Sequence, residues 1–253
     1  MELNGRQEKI LALLRHEDAV EIAHLCSLMA VSRETVRKDI SELDRAGLLL
    51  KVRGGAVARP KLFESAYGER RMRNIEAKQT IAACAIDLID HGMTIYLDYG
   101  TTIYMLATRL DALRGLTVVT ASLPTAMMLA TYEGIDVILL GGIIRSNENS
   151  LYGPPALRNL ELLNIDMGFF SCAGIDIDGF LNNYHIHETA LSRYAISRCA
   201  ATALLIDGTK AGVNAPNILG KVSDFNYCIH AGFDKDYRLM MSESGIKVLS
   251  EEK

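Results

Sequence analysis

The chain has 253 residues, of which 49% are hydrophobic and 23% charged, with a formal net charge of −4 at pH 7. Its length suits a small domain followed by a larger one, and the composition excludes a mainly disordered chain. The negative charge argues against indiscriminate nucleic-acid binding. Charges within the N-terminal segment exclude a secretory signal, and no apolar run reaches membrane-spanning length, so we expect a cytoplasmic protein with no membrane partner.

The cysteines are odd in number and widely spaced, and no two of them form a C-x-x-C pair. This pattern favours buried, reduced thiols that pack as small hydrophobic side chains. The five positions are Cys26, Cys84, Cys172, Cys199 and Cys228.

Positive charge is concentrated in one part of the chain. Residues 1–31 contain three Lys/Arg against five Asp/Glu, whereas residues 32–79 contain twelve against seven. A local basic surplus in an acidic chain is compatible with a DNA-binding surface, although most charge clusters are solvated faces.

Three helices are predicted near the N-terminus. Residues 6–15 and 20–29 place apolar residues on one face at helical spacing, which indicates two short amphipathic helices. A third helix is expected to begin after Ser32, whose hydroxyl can cap it, and to end at Gly47. The strand-like run with a glycine pair at 48–57 indicates a β-hairpin. Together these elements predict a winged helix-turn-helix.

In a helix-turn-helix, the N-terminal part of the last helix lies in the major groove of DNA. Arg and Lys side chains there can reach guanine edges or phosphates, and Ser and Thr can reach either. Asp39 is expected to brace a neighbouring basic side chain instead. We assign groove or near-groove contacts to Ser32, Arg33, Thr35 and Arg37, a phosphate contact to Lys38, and backbone or minor-groove contacts to Lys51 and Arg53.

A three-helix domain can also serve dimerisation or peptide docking, and the residue string decides between these alternatives. Residues 31–57, VSRETVRKDISELDRAGLLLKVRGGAV, resemble the signature of the DeoR family of bacterial transcription regulators. In that signature a V-S-x-x-T-[IV]-R-[RK]-D-[IL]-x-x-L core is followed by a G-x-L stretch and R-x-G-G-A. The matching residues are Val31, Ser32, Thr35, Val36, Arg37, Lys38, Asp39, Ile40, Leu43, Gly47, Leu49, Arg53, Gly54, Gly55 and Ala56.

Residues 58–76 contain the first proline, several arginines and no clean period, which predicts a hinge that becomes helical. Arg70, Arg71 and Arg73 could touch DNA or pair with acidic residues at a domain interface. The chain therefore divides into a winged helix-turn-helix domain, this hinge and an effector-sensing domain. Their expected bounds are 1–57, 58–76 and 77–253.

Beyond residue 77, short apolar strands alternate with helices, as in an open, mostly parallel sheet covered by helices. The candidate strands are 94–97, 116–119, 137–140, 168–171, 203–206 and 227–230. The candidate helices are 77–90, 102–113, 122–132, 155–163, 188–200 and 235–244.

Small and polar residues follow these strands. Ligands of open α/β sheets bind at the carboxyl ends of the strands, so the loops are expected to converge on one crevice. Glycine amides and threonine hydroxyls at a strand-to-helix junction can hold a phosphate, and a lysine adds a point charge. The candidate effector-binding residues are Asp98, Gly100, Thr101, Thr102, Ser122, Gly141, Gly142, Asp176, Asp207 and Lys210.

The family resemblance extends into this second domain. D-x-G-T-T, L-T-V-V-T, L-x-G-G, G-I-D and D-x-T-K are similar to the family's effector domain, and the resemblance adds Arg145 and Glu188 to the candidate effector site. That effector domain resembles ribose-5-phosphate isomerase, which implies recognition of a phosphorylated sugar or related metabolite. The family commonly has Asn where this chain has Ala121 and Ser where it has Thr209, which leaves the identity of the ligand open.

The sequence also allows two other interpretations. His185 and His187 could belong to a metal site, but their alternate spacing offers no evident further ligand, so we expect no metal and no cofactor. Asp176, Glu188, Asp207 and Lys210 could form an acid–base set for sugar-phosphate isomerisation.

The favoured prediction is a non-enzymatic transcriptional repressor of a sugar-metabolism operon. Its affinity for double-stranded operator DNA would respond to a phosphorylated sugar or related small molecule. Because one helix reads only a few base pairs, a homodimer or homotetramer on repeated half-sites is expected.

Overall fold

The computed structural model describes residues 3–14, 19–46, 48–57 and 67–249. The chain forms two compact units, Met1–Phe63 and Glu64–Lys253. In the described part of the chain, no helix combines the length and the apolar character that a membrane span needs. The predicted helix end at Gly47 and the first part of the predicted hinge, 58–66, lie outside the described residues.

The first unit is a winged helix-turn-helix, which confirms the predicted fold of the N-terminus. Its three strands form an antiparallel sheet in the order β1-β3-β2. The elements are α1 (Gly5–Leu13), β1 (Ala19–Glu21), α2 (Ile22–Met29), α3 (Arg33–Arg45), β2 (Leu50–Val52) and β3 (Gly55–Val57).

Strand β1 corrects the sequence prediction, which began the second helix at Val20. Val20 is buried and pairs with Ala56 of β3, so burial and strand pairing override the helical spacing. Gly55 allows this pairing, because a Cβ on it would lie 2.0 Å from the carbonyl oxygen of Val20. The start of helix α2 therefore shifts to Ile22.

The second unit contains seven α-helices and twelve strands among the described residues. The helices are α4 (Tyr67–Met72), α5 (Ile75–Ala85), α6 (Thr101–Ala107), α7 (Leu123–Leu129), α8 (Pro154–Glu161), α9 (Ile186–Arg198) and α10 (Lys235–Glu243). The strands are β4 (Thr94–Leu97), β5 (Leu116–Thr120), β6 (Ile135–Leu139), β7 (Ile143–Arg145), β8 (Ser150–Tyr152), β9 (Ile165–Phe170), β10 (Gly174–Ile175), β11 (Phe180–Asn183), β12 (Cys199–Asp207), β13 (Asn217–Lys221), β14 (Tyr227–Ala231) and β15 (Lys247–Leu249).

The main sheet is parallel throughout, in the order β15-β14-β12-β9-β4-β5-β6. Both of its faces are buried: Tyr96 and Leu204 pack into one hydrophobic cluster, and Ile95 and Leu205 into the other. The predicted fold class, an open and mostly parallel sheet covered by helices, is confirmed. All six predicted strands belong to this sheet, and the edge strand β15 was not predicted.

The order of the strands reverses between β4 and β9. From β4 the chain proceeds outward through β5 and β6, and from β9 it proceeds outward in the other direction. The carboxyl ends of strands flanking such a switch point are where open α/β sheets bind their ligands. We call the boundary between β4 and β9, together with the loops that follow these two strands, the seam of the sheet.

Two smaller sheets were not predicted. Strands β7 and β8 form an antiparallel hairpin, and β10, β11 and β13 form a three-stranded antiparallel sheet. The hairpin needs glycine at 142, where φ is +138° and a Cβ would lie 2.3 Å from the carbonyl oxygen of Tyr152. A strand whose length is three residues leaves little periodic signal in the sequence.

The five cysteines form no disulfide in the described part of the chain. The expectation of buried, reduced thiols is confirmed for Cys172 and Cys228, and Cys26, Cys84 and Cys199 are half-buried. Burial raises the pKa of Cys172, Cys199 and Cys228 to about 12, so these three thiols stay protonated at neutral pH.

Candidate DNA-binding surface and effector site

Helix α3 begins with a side-chain cap. The hydroxyl of Ser32 accepts a hydrogen bond from the backbone N–H of Thr35 at 3.1 Å, and the two hydroxyl oxygens lie 2.9 Å apart. The predicted N-cap at Ser32 is confirmed. Its hydroxyl is thus already bonded within the protein at the residue where the candidate DNA-binding face begins.

The two faces of α3 differ sharply. Val36, Ile40 and Leu43 are fully buried against the other helices. Arg33 and Arg37 are exposed on the opposite side, as is Lys38, while Thr35 is half-buried. The basic side chains assigned to DNA therefore lie on a surface that a nucleic acid can reach.

Asp39 is buried among these basic residues and binds one from another helix. The guanidinium of Arg6 in α1 donates to its two carboxylate oxygens at 2.8 and 3.2 Å. Asn4 adds a third hydrogen bond at 3.3 Å. The expectation that Asp39 braces a basic side chain is confirmed, and the bond fastens α1 to α3.

The wing is attached to α3 by Lys51. Its ammonium group donates to the hydroxyl of Ser41 at 2.8 Å, and its backbone N–H donates to the carboxylate of Asp44 at 3.2 Å. Arg53 is exposed at the turn of the hairpin, beside Gly54 with φ of +93°. The guanidinium of Arg53 is therefore exposed at the tip of the wing, and the ammonium group of Lys51 lies against α3.

In the second unit, the loop after β4 begins with a buried carboxyl group. Asp98 accepts hydrogen bonds from the hydroxyl of Ser192 in α9 at 3.0 and 3.1 Å and from Tyr96 at 3.3 Å. Burial away from water raises the pKa of Asp98 to about 8. The group is therefore largely protonated at neutral pH and can donate a hydrogen bond.

The same loop turns at Gly100, whose φ is +113°, and leads into α6. Thr101 and Thr102 form the first turn of that helix and are buried. Ser122 follows β5 and caps α7, accepting hydrogen bonds from the N–H of Thr125 at 3.4 Å and from its hydroxyl at 2.9 Å. The hydroxyl of Ser122 is bonded locally.

A buried ion pair joins the β7–β8 hairpin to α9. Arg145 donates to one carboxylate oxygen of Glu188, and the hydroxyl of Ser150 donates to the other. The imidazole of His185 lies 3.7 Å from the same carboxylate. The side chain of Glu188 is 1% exposed, so a buried ion pair connects the hairpin to α9.

Strand β12 ends in a second buried carboxyl group, that of Asp207. One oxygen of Asp207 accepts hydrogen bonds from the side-chain amide of Asn74 at 3.1 Å and from the N–H and hydroxyl of Thr209. Its other oxygen is buried and has no hydrogen-bond partner among the described residues. Lys210 is half-buried in the short helix Gly208–Lys210.

Lys78 of α5 is buried near this carboxylate. Its ammonium group donates to the carbonyl oxygen of Arg73 at 2.7 Å and to that of Arg70. Burial lowers the pKa of Lys78 to about 8, although the nearby charge of Asp207 opposes the shift. Sequence reasoning missed this lysine because it lies in a helix and outside every strand-end loop.

Three predicted effector residues have evident structural roles. One carboxylate oxygen of Asp176 accepts the N–H groups of Asp178 at 3.0 Å and Phe180 at 2.8 Å, and so closes the turn between β10 and β11. Gly142 permits the close approach of the β7–β8 hairpin described above, and Gly141 precedes it. Their contacts with an effector stay a prediction.

Several polar residues of the site were not predicted. Besides Lys78 and Asn74, they include Ser192, which binds Asp98, and Asn183, whose amide donates to the hydroxyl of Tyr99 at 3.4 Å. Nothing in the sequence marks Ser192, which is one of several small polar residues in the segment that forms helix α9. Only the fold brings it to the end of β4.

No group of three or more His, Cys, Asp or Glu side chains in the described residues is arranged to hold a metal ion. His185 and His187 pack against the ring of Tyr152, with centroid distances of 4.7 and 5.6 Å.

Comparison with protein families matches both units of the chain. A family described as the DeoR C terminal sensor domain matches residues 73–231, and the DeoR-like helix-turn-helix domain matches residues 6–61. Together the two matches cover most of the chain.

Individual proteins resemble the chain over most of its length. The HTH-type transcriptional regulator GolR of Listeria innocua is 36% identical over 209 residues, which are 82% of each chain. The glycerol-3-phosphate regulon repressor of Escherichia coli is 30% identical over 223 residues, 88% of each chain. Among solved structures, ribose 5-phosphate isomerase A from Methanocaldococcus jannaschii matches 55% of each chain, with a TM-score of 0.40 and 19% identity.

Proposed function

Because the chain belongs to the DeoR family of DNA-binding transcriptional regulators, we propose that it is a repressor whose affinity for operator DNA is controlled by a phosphorylated sugar or related metabolite. The exposed basic face of α3, in a winged helix-turn-helix that is followed by a sensor domain, is the observation that carries this proposal. The name of one relative, the glycerol-3-phosphate regulon repressor, supports repression as the sign of the regulation and a link to phosphorylated metabolites.

On the DNA side, Arg33 and Arg37 are proposed to contact base edges or adjacent phosphates, and Lys38 a phosphate. Ser32 and Thr35 would contribute through the capped first turn of α3, whose N–H groups and dipole also favour a phosphate. Lys51 and Arg53 are proposed to contact the DNA backbone or the minor groove. All of the basic side chains in this set are exposed.

On the sensor side, the effector is proposed to bind where the loops after the central strands meet. Arg145 and Lys210 supply positive charge for a phosphate. Carboxyl groups and hydroxyls at the same edge can bind sugar hydroxyls. The full proposed set is Asp98, Gly100, Thr101, Thr102, Ser122, Gly141, Gly142, Arg145, Asp176, Glu188, Asp207 and Lys210.

The regulation follows from linkage. An effector that binds the DNA-competent and incompetent arrangements with different affinities shifts their populations, by about 1–3 kcal/mol in usual cases. We further propose a homodimer or homotetramer that reads repeated half-sites and acts in the cytoplasm, where operator DNA is found. The sensor domain is proposed to bind its ligand without turning it over, since full-length relatives are regulators.

The DNA-binding proposal is tested with an operator selected by the protein from random-sequence DNA. Arg37→Ala is expected to weaken binding to that operator by ~1–3 kcal/mol, the contribution of a bidentate contact with a base. Arg45→Ala is the matched control, because Arg45 is exposed in the last turn of the same helix. Equal affinities of wild type and Arg37→Ala would contradict the assignment.

The effector proposal is tested by thermal unfolding in the presence of glycerol 3-phosphate, glucose 6-phosphate, fructose 6-phosphate and fructose 1-phosphate. At least one of them is expected to raise the melting temperature and to change operator affinity. Stabilisation by none would count against sugar-phosphate sensing. Turnover assays on the same compounds test the absence of catalysis.

A further inference from the structure

Helix α4 is the first described element of the second unit. It is only six residues long and carries adjacent arginines, Arg70 and Arg71. Both side chains are directed at other elements of the sensor domain. The sequence alone left open whether these arginines touch DNA or pair within the protein.

The first contact of α4 leads to the β7–β8 hairpin. Arg70 forms an ion pair with Glu148, whose side chain is 1% exposed. Glu148 lies in the turn between β7 and β8, and Arg145 of the same hairpin forms the ion pair with Glu188. Two buried ion pairs therefore connect α4 through one hairpin to the candidate effector site.

The second contact leads to α6. The guanidinium of Arg71 lies 4.5 Å from the centroid of the Tyr104 ring and donates to its hydroxyl at 3.3 Å. Tyr104 is one turn beyond Thr101, at the start of the helix that follows the loop after β4. A cation over an aromatic face stabilises this arrangement.

The third contact leads to the loop after β12. Lys78 donates to the carbonyl oxygens of Arg70 and Arg73 at the C-terminal end of α4. The helix dipole favours a cation at that end. Asn74, which joins α4 to α5 with φ of +55°, donates to Asp207. The end of α4 is thus fixed by the residues that also surround Asp207.

We propose that α4 transmits effector binding to the DNA-binding domain, because three parts of the candidate effector site contact α4, or Asn74 just after it, through a specific side chain. These parts are the β7–β8 hairpin, helix α6 and the end of β12. This inference rests on the proposed function and names the element through which that function is regulated. The three links are Glu148 to Arg70, Tyr104 to Arg71 and Asp207 to Asn74.

The physical basis is competition for the same polar groups. An anionic effector that draws Arg145 away from Glu188 changes the hairpin whose turn holds Arg70. A ligand hydroxyl that binds Asp207 changes the acceptor available to Asn74. Either event alters the free energy of one arrangement of α4 relative to another, which is the requirement for coupling.

The protein contains no tryptophan, so a single introduced tryptophan is an unambiguous reporter. Met72 is the last residue of α4 and is 72% exposed, which makes Met72→Trp suitable. In that background, Glu188→Gln and Asp207→Asn neutralise the effector-site ends of two links. Both changes are expected to alter the emission of the introduced tryptophan and its quenching by acrylamide, with no ligand added.

Asp166→Asn is the matched control. Asp166 lies at the start of β9, at the amino-terminal ends of the strands and away from the candidate effector site, where it accepts the N–H of Thr94 at 2.8 Å. The same neutralisation there should therefore leave the reporter unchanged. Glu148→Gln, which breaks a link at α4 itself, gives a reference signal if one of the other variants fails to fold. A reporter that responds to Glu148→Gln but to neither Glu188→Gln nor Asp207→Asn would overturn the proposal.

A second measurement uses the selected operator and the full-length chain. Glu148→Gln is expected to change the operator Kd by at least about fivefold, the low end of usual allosteric coupling, and Asp166→Asn to leave it unchanged. An unchanged Kd in Glu148→Gln would contradict a relay through the hairpin. If no sugar phosphate binds but the reporter responds, the effector class is wrong and the relay stands.

Discussion

The two units of the chain present their candidate functional residues in opposite ways. In the winged helix-turn-helix, Arg33, Arg37 and Arg53 are exposed, and their charges are available to a large polyanion. In the sensor domain, Asp98 and Glu188 are buried and bonded to other side chains. A surface that reads DNA can be built from side chains that the fold does not need, whereas a small-molecule site uses side chains that also hold the fold together.

This difference has a direct experimental consequence. Substitutions of the exposed arginines on the DNA-binding face should separate affinity from stability, because surface changes away from caps usually alter stability by less than about 0.5 kcal/mol. Substitutions in the sensor site should change both, because they leave buried polar groups without partners. The following predictions run from the largest expected effect to the smallest.

The largest effect is expected for Arg145→Ala. It leaves the carboxylate of Glu188 buried without its guanidinium partner, and breaking a buried ion pair in this way costs about 3 kcal/mol or more. Urea unfolding of the sensor domain, followed by circular dichroism, measures the loss. If the unfolding free energy fell by less than about 1 kcal/mol, the stability of the domain would depend less on this ion pair than the burial of Glu188 indicates.

Asp98→Asn should change how stability depends on pH. Asp98 has a pKa of about 8 in the folded protein and about 3.8 when unfolded, so the folded state holds a proton that the unfolded state releases. Its contribution is fully present below the unfolded pKa and is lost as pH rises towards the folded pKa, by up to about 1.4 kcal/mol per pH unit.

The neutral amide introduced by that substitution removes this proton linkage. The free energy of unfolding of Asp98→Asn, relative to wild type, should therefore increase steadily between about pH 5 and pH 8. Parallel pH profiles for the two proteins would mean that Asp98 is charged in the folded state.

Ser32→Ala tests the cap at the start of α3. Loss of the hydrogen bond to the N–H of Thr35 is expected to lower the unfolding free energy of the DNA-binding unit by about 1 kcal/mol. Ser32→Asp, which can also cap, should restore stability but weaken operator binding, since it adds negative charge at the DNA surface. Recovery of both properties would argue against a position close to phosphate.

The smallest effect on stability is expected for Lys51→Ala. Its bond to Ser41 is exposed, so the melting temperature should stay nearly constant. Affinity should fall by a similar factor for the selected operator and for unrelated DNA, because a backbone contact carries no sequence information. Titrations of both DNAs at one salt concentration measure this, and a loss confined to the operator would assign Lys51 to base recognition.

The sequence predicted those parts of the fold that have a strong local signal. The six predicted strands of the main sheet are near-continuous apolar runs, and α3 has both a capping residue and an amphipathic face. Strands β1, β7 and β10 are two or three residues long, and their formation depends on pairing with distant residues such as Ala56 and Tyr152. Their positions are set by tertiary contacts that leave no period in the sequence.

The candidate site divides in the same way. Residues that follow strands, such as Asp98 and Asp207, could be found because the ends of parallel strands share one edge of the sheet. Ser192 and Lys78 come from the middle of helices, and only the packing of those helices brings them to that edge. The cap at Ser32 was predictable in detail because capping is local. For Asp39 only the kind of partner was predicted, because Arg6 comes from another helix.

The reversal of strand order between β4 and β9 has a consequence for synthesis of the protein. Each half of the sheet is made from neighbouring parts of the chain, but the seam needs both halves, and the polar groups beside it extend from Asn74 to Asp207. A ribosome completes the winged helix-turn-helix long before it reaches that last loop. A product truncated after β9 would keep the residues of the proposed DNA-binding face but lack Glu188 and Asp207 of the proposed effector site, so we expect that an effector could not control its DNA binding.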